Sequence, residues 1–302
     1  MSRRPWCVSG LAAVAALCLS LPARQARACA SCACGDPTLA ALGTERPLRN
    51  RLRAAVAFSH RALSVGDVGL DELRISEQRV DAHLAWAPHE RLFLLASLPG
   101  LRREVTYRDG YHRATWGNGD AELRAKLFVF QDRAFAPRHL VAALAGLKLP
   151  TAVIDRRPGG APDSSELQFS TGSVDPILGA SYGFFAYPWS AYASGQLLWT
   201  REGTGGARAS RSVSGTAAVQ RHLLTAVAIR LAIDSRLDSQ AREGGFPERH
   251  SGGFIAFASP EILVSPATDL VVSAWARLAF VNALAGRQQE PFVLGAGVGY
   301  DF

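Results

Sequence analysis

The sequence predicts an all-β protein: a transmembrane, up-and-down antiparallel β-barrel of about twelve strands that follows a cleaved signal peptide. Three observations predict it. Apolar and polar residues alternate with the period of a strand in one segment after another. The connections between these segments alternate short and long, the wiring of such a barrel and not the beat of a Greek-key sandwich. Beyond the N-terminal segment, no stretch is apolar for the roughly 20 residues a spanning helix needs.

Composition narrows the class. With 48% hydrophobic and 20% charged residues the chain is not disordered, and 28 Gly, 16 Pro and a single Met argue against a helical bundle. The net charge of +7 comes mostly from Arg. These Arg residues are scattered through strands and loops, not clustered with aromatics, so nucleic acid is not an expected partner.

Met1 to Ala28 has a basic start (Arg3, Arg4), an apolar middle from Val8 to Leu21, and small residues at Ala26 and Ala28. This is the layout of a secretory signal. An uncleaved anchor is disfavoured because the apolar run is short and broken by Pro22. Arg27 argues against acylation of Cys29. The expected organisation is a signal peptide from Met1 to Ala28, a periplasmic tail from Cys29 to Arg49, and an outer-membrane barrel from Asn50 to Phe302. The tail holds Cys29, Cys32 and Cys34, an odd number for an oxidising compartment. Two readings are open: three thiolates that hold Cu(I) or Zn(II), or a local disulfide with one spare thiol. A c-type haem is excluded because Ala33, not His, follows Cys32.

The first strand is expected at Asn50 to Arg61, where Leu52, Ala54, Val56 and Phe58 share one parity. The second ends at Trp86, with Val80, Ala82 and Leu84 on its apolar side and Arg79, Asp81 and His83 opposite. Leu92 to Leu98 follows, and then a charged loop from Arg102 to Asn118. From Asp120 to Phe130, Ala121, Leu123, Ala125, Leu127 and Val129 alternate with Asp120, Glu122, Arg124 and Lys126, which puts four ionisable groups on one face. Further strands are read at Val141 to Leu149, Pro176 to Phe184, Ala191 to Trp199, Val213 to Val219, Val227 to Ile233, Phe254 to Val264 and Val272 to Phe280. In the last, Phe292 to Phe302, the even-numbered residues form the apolar face.

Short turns are expected at Pro88 to Glu90, Asp132 to Pro137, Tyr187 to Trp189, Gln220 to His222 and Ser265 to Thr268. Long polar connections are expected at Ser64 to Leu70, Arg102 to Asn118, Ile154 to Leu167, Arg201 to Ala209, Leu237 to Gly252 and Ala285 to Glu290. Trp86, Tyr182, Tyr187, Trp189, Trp199 and Tyr300 fall near strand ends, where aromatic girdles meet the membrane interfaces. By parity, Asp120, Glu122, Arg124, Lys126, Lys148, Asp175, Arg230, Asp234, Glu261 and Arg277 face the lumen. Their charges cancel, so any basic bias is expected from Arg51, Arg53 and Arg236.

Two resemblances follow. A final strand that ends on Phe302, with Tyr300 before it, resembles the closing strand of bacterial outer-membrane barrels, which the barrel assembly machinery reads in that family. Gly117 to Lys126 (GNGDAELRAK), Ala145 to Thr151 (AGLKLPT) and Gln168 to Gly179 (QFSTGSVDPILG) resemble three signatures of the outer-membrane transporter family of phenol-degradation meta-pathway proteins. Those signatures are G-x-G-D-x-x-L-x-x-K, K-L-P-T-G and G-x-G-S-x-D-P-x-x-G; Ala152 stands where the family has Gly. The resemblance implies a barrel in outer-membrane lipid that passes small molecules, hydrophobic or aromatic ones among them, and is not an enzyme.

Two other functions are weighed against this one: an envelope metal-handling protein that uses Cys29, Cys32 and Cys34, and an outer-membrane barrel enzyme. No catalytic residue is assigned. His60, His83, His89, His112, His139, His222 and His250 all lie outside the G-x-S-x-G and H-E-x-x-H contexts.

Overall fold

The computed structural model describes residues 51–67, 70, 72–133, 137–153, 167–203 and 206–302. The signal segment, the Cys29, Cys32 and Cys34 tail and most of the Ile154 to Leu167 connection lie outside the described residues. In chain order the strands are β1 (Leu52–Val65), β2 (Leu73–His89), β3 (Leu92–Tyr107), β4 (His112–Asn118), β5 (Ala121–Gln131), β6 (His139–Leu149), β7 (Asp175–Ala186), β8 (Trp189–Leu198), β9 (Ser212–Leu224), β10 (Val227–Asp238), β11 (Arg242–Glu243), β12 (Phe246–Pro247), β13 (Gly253–Ala267), β14 (Leu270–Leu284) and β15 (Gln288–Asp301). Every neighbouring pair is antiparallel, and β15 returns to pair with β1, so the sheet closes on itself. Because β4 and β5 both pair with β3 and succeed each other along it, they act as one wall element, and the barrel has twelve strands. The β11–β12 hairpin stands apart in the connection between β10 and β13.

Closure matters because a strand edge inside lipid would leave backbone N–H and C=O groups without partners at several kcal/mol each. Here Val56 sits opposite Val298 and Ala57 opposite Gly297 in the closing ladder, and Phe302 N–H donates to the Leu52 carbonyl at 2.8 Å. The outward parity is apolar and exposed all round: Phe58, Val80, Leu84, Leu123, Leu127, Leu178, Ile229, Leu231, Ile262, Leu294 and Val298 are among its members. An apolar exterior this extensive is not a water-facing surface; it is the lipid-facing band of a membrane barrel. No helix among the described residues is long and apolar enough to cross a membrane.

The turns at one end are tight, as between β2 and β3 or β13 and β14. In the β5–β6 turn, the His139 and Arg138 N–H groups donate to Asp132 Oδ1 at 2.9 and 2.8 Å and hold its carboxyl below the usual range. Exposed Trp86, Tyr187, Trp189, Tyr300 and Phe302 ring this end, and Trp116 and Trp199 mark the other.

Several expected boundaries are corrected. Arg102–Tyr107 and His112–Asn118 are not loop but the arms of a hairpin that prolongs the wall, because Arg102 pairs with Gln78 on one side and Trp116 on the other. Gln220 to His222 lies within β9, whose turn comes after Leu224. Ser265 to Ala267 belongs to β13, and the last connection is only Ala285 to Arg287. In each case the polar residues read as a loop are on the inward parity or beyond the lipid band, where water or ion pairs satisfy them.

Candidate functional site

The ten residues assigned to the lumen all sit on the inward parity of their strands. Glu122, Arg124 and Lys126 come from β5, preceded by Asp120; Lys148 comes from β6 and Asp175 from β7; Arg230 and Asp234 come from β10, Glu261 from β13 and Arg277 from β14. Most are tied into ion pairs. Arg124 pairs with Glu122 and Arg230 with Glu261, and Arg277 Nε stands 3.4 Å from Asp234 Oδ2. Lys126 is buried, its Nζ 5.1 Å from the centre of the Phe128 ring and 5.9 Å from that of Tyr192.

The three family-like motifs converge on Lys148. Its Nζ lies 3.0 Å from Asp120 Oδ2 and 2.8 Å from Asp175 Oδ2. Ser170 Oγ donates to Asp120 at 2.8 Å, Ser173 Oγ to Asp175 at 2.9 Å, and the Arg201 N–H to Asp175 at 2.8 Å. Thr151 Oγ1 accepts the Ala121 N–H at 2.8 Å and donates to the Gly119 carbonyl at 3.1 Å. These bonds clasp the start of β5, the end of β6 and the chain leading into β7. Gly119 permits the close approach, since a Cβ there would lie 2.7 Å from Leu101 Cδ1 and 2.9 Å from Pro99 Cγ. The segment just before β7 folds inward: Leu167 packs with Ile75 and Val105, and Arg103 lies 5.2 Å from the centre of the Phe169 ring.

A second network was not read from the sequence. Glu77 accepts from Arg61 at 2.8 Å and from Arg103 at 2.6 Å; Arg61 reaches Glu290 at 3.7 Å, and Arg236 bridges Glu290 at 3.2 Å and Asp238 at 2.6 Å. The parity of Arg61 and Glu77, matching that of Arg53 and Arg79, was the available signal. Arg103 was hidden inside the stretch read as a loop. Arg51 and Arg53, expected to bias the lumen, both bind Asp301, with Arg53 Nε and Nη2 at 2.5 and 2.6 Å. Arg236 is likewise paired, so the interior is close to charge balance overall.

The balance is not uniform. One chamber of about 320 Å³ is walled by Arg61, Arg79, Arg124, Arg236 and Arg277 together with Glu77, Asp81, Glu122 and Glu290. A second, of about 300 Å³, presents Arg124, Lys126, Arg236 and Arg277 against the single carboxylate of Asp234, with Ser181, Ser194, Ser214, Thr216 and Gln196 between them. Arg124, Arg236, Arg277 and Phe257 line both and form the partition. Trp275 lies in the first chamber over Gly295, where any Cβ would collide with the indole. Toward the tight-turn end the interior becomes apolar, with Ala85, Ala87, Phe93, Leu95, Phe128, Leu140 and Ala142 packed together and Phe185 against them. Among the described residues, no group of His, Cys, Asp and Glu could hold a metal ion.

An outer membrane channel from Pseudomonas putida F1 is similar in structure: TM-score 0.67 and 14% identity, covering 86% of this chain and 98% of that one. The fold is that of an outer-membrane β-barrel. With its closed wall and lipid-facing band, the chain resides in the outer membrane. Looser likenesses include the translocator domain of the autotransporter NalP from Neisseria meningitidis (TM-score 0.49, 11% identity, 88% of this chain and 93% of that one) and the P. putida toluene transporter TodX (0.45, 8%, 88% and 92%). No family model and no curated protein matches the sequence.

Proposed function

We propose that this barrel is a channel for passive passage of small molecules across the outer membrane, and not an enzyme. The observation that carries this reading is the pair of polar chambers inside one closed wall, which meet at a partition of three Arg side chains and Phe257. A protein whose only task was to anchor in lipid would not need polar cavities at its centre. Among the described residues, most charged side chains of the lumen are ion-paired, and none is set beside a nucleophile and base in a catalytic arrangement. The motif resemblance to the phenol-degradation meta-pathway family supports a hydrophobic or aromatic solute. The inward-folded segment at Leu167 and the apolar cluster around Phe128 support a narrow path.

Reconstitution in a planar bilayer tests the reading. Small, stepwise conductance is the expected result. Silence from correctly folded protein, shown by a gel mobility that changes on boiling, would mean that the networks plug the barrel.

A further inference from the structure

We infer that the basic chamber is a binding site for a small amphipathic carboxylate: an organic monoanion with one ring or a short apolar body. The inference rests on the channel reading for how the ligand arrives; its test does not.

Charge is the first reason. Four basic side chains from β5, β10 and β14 converge on a space of about 300 Å³ that has one carboxylate in its wall. That carboxylate, Asp234, is already engaged: Thr216 Oγ1 donates to it at 2.6 Å and Ser259 Oγ at 2.5 Å, and Arg277 stands beside it. The partners of the other two Arg residues lie elsewhere. Glu122, which holds Arg124, and Glu290, which holds Arg236, line the neighbouring chamber. These pairs fix the two guanidiniums at the partition, in the wall of the basic chamber. In a confined, low-dielectric space, basic side chains held in place in this way can receive an anion, and guanidinium groups match a carboxylate in geometry.

The second reason is the rest of the wall. Leu144, Tyr192 and Phe257 give an apolar side, and serine hydroxyls beside it supply donors. A bare inorganic anion would use only the charged half. The volume is at the lower end for ligand pockets, which suits a single ring and not a long chain.

The test uses the whole barrel, refolded in detergent, and titration calorimetry with four probes: benzoate, benzyl alcohol, benzylammonium and sulfate. Benzoate is expected to bind, with affinity falling as salt rises; sulfate should bind at least tenfold more weakly, and the neutral and cationic rings not measurably. Arg277→Gln should weaken benzoate binding tenfold or more, Arg277→Lys should retain most of it, and Arg102→Gln, on the exposed outer side, should match the wild type. If Arg277→Gln does not assemble, Lys126→Gln serves the same purpose. Benzyl alcohol that binds as tightly as benzoate, or benzoate binding unchanged in the folded variants, would overturn the site. Equal binding of sulfate would overturn the amphipathic class. A barrel that binds benzoate but passes no current fails the channel reading alone, and one that conducts without binding fails this inference alone.

Discussion

The two chambers share a partition yet solve the problem of buried charge differently. In the first, the carboxylates themselves line the wall beside the Arg residues, as where Glu77 holds Arg61 and Glu290 bridges Arg61 and Arg236. In the second, cations outnumber carboxylates and hydroxyls fill the wall. The difference teaches that near-neutrality of the whole lumen is a poor guide to what a solute meets along it. The carboxylates on one side of the partition fix its guanidiniums, and the other side presents them beside hydroxyls.

Substitutions can break or sharpen this contrast. The largest effect is expected from Glu77→Gln, which removes the buried carboxylate that two partly buried Arg residues share. Removing one member of a buried ion pair costs about 3 to 5 kcal/mol, to be read from reversible urea unfolding in detergent. Asp234→Asn, in the basic chamber, should cost less, because one of the Thr216 and Ser259 hydroxyls can still donate to the amide oxygen and the other can accept from the amide N–H. Equal losses at the two sites would erase the distinction.

The wall that bounds both chambers comes next. Val298 faces outward and Gly297 is buried on the inner side. Arg at Val298 should destabilise by roughly 2 to 4 kcal/mol and impair assembly, the cost of a charge at mid-bilayer. Arg at Gly297, able to reach lumenal water and carboxylates, should be tolerated better in the same unfolding assay.

A smaller effect is expected at the partition. A Cβ at Gly146 would lie 2.8 Å from Arg124 Cγ and 2.6 Å from the Leu123 carbonyl oxygen. Gly146→Ala should cost about 1 to 3 kcal/mol by overpacking and, by displacing Arg124, change single-channel conductance more than overall stability.

Much of this was legible in the sequence, for a stated reason. Period-two alternation in a barrel is enforced by lipid on one side and water on the other, so parity alone put Asp120 through Arg277 on the inner face. Strand length was less legible. Above the lipid band nothing forces the outward side to be apolar, and the β3–β4 hairpin, with exposed Arg102 and Trp116, therefore reads as loop. Partners were not legible at all. That Lys148 gathers Asp120 and Asp175, or that Glu290 faces Arg236 54 residues away, depends on register and closure, which no local pattern encodes. The tight-turn pattern was shifted at Gln220 to His222 because inward polar residues near a strand end look like a turn.

The most direct test of the central claim, that the basic chamber governs what passes, is the reversal potential of single channels in a potassium chloride gradient. Asp234→Asn should shift it further in the same direction as the wild type's own preference. The account predicts a preference for anions in the wild-type barrel, from the four basic side chains that line the path beside one carboxylate. A clear preference for cations would contradict it.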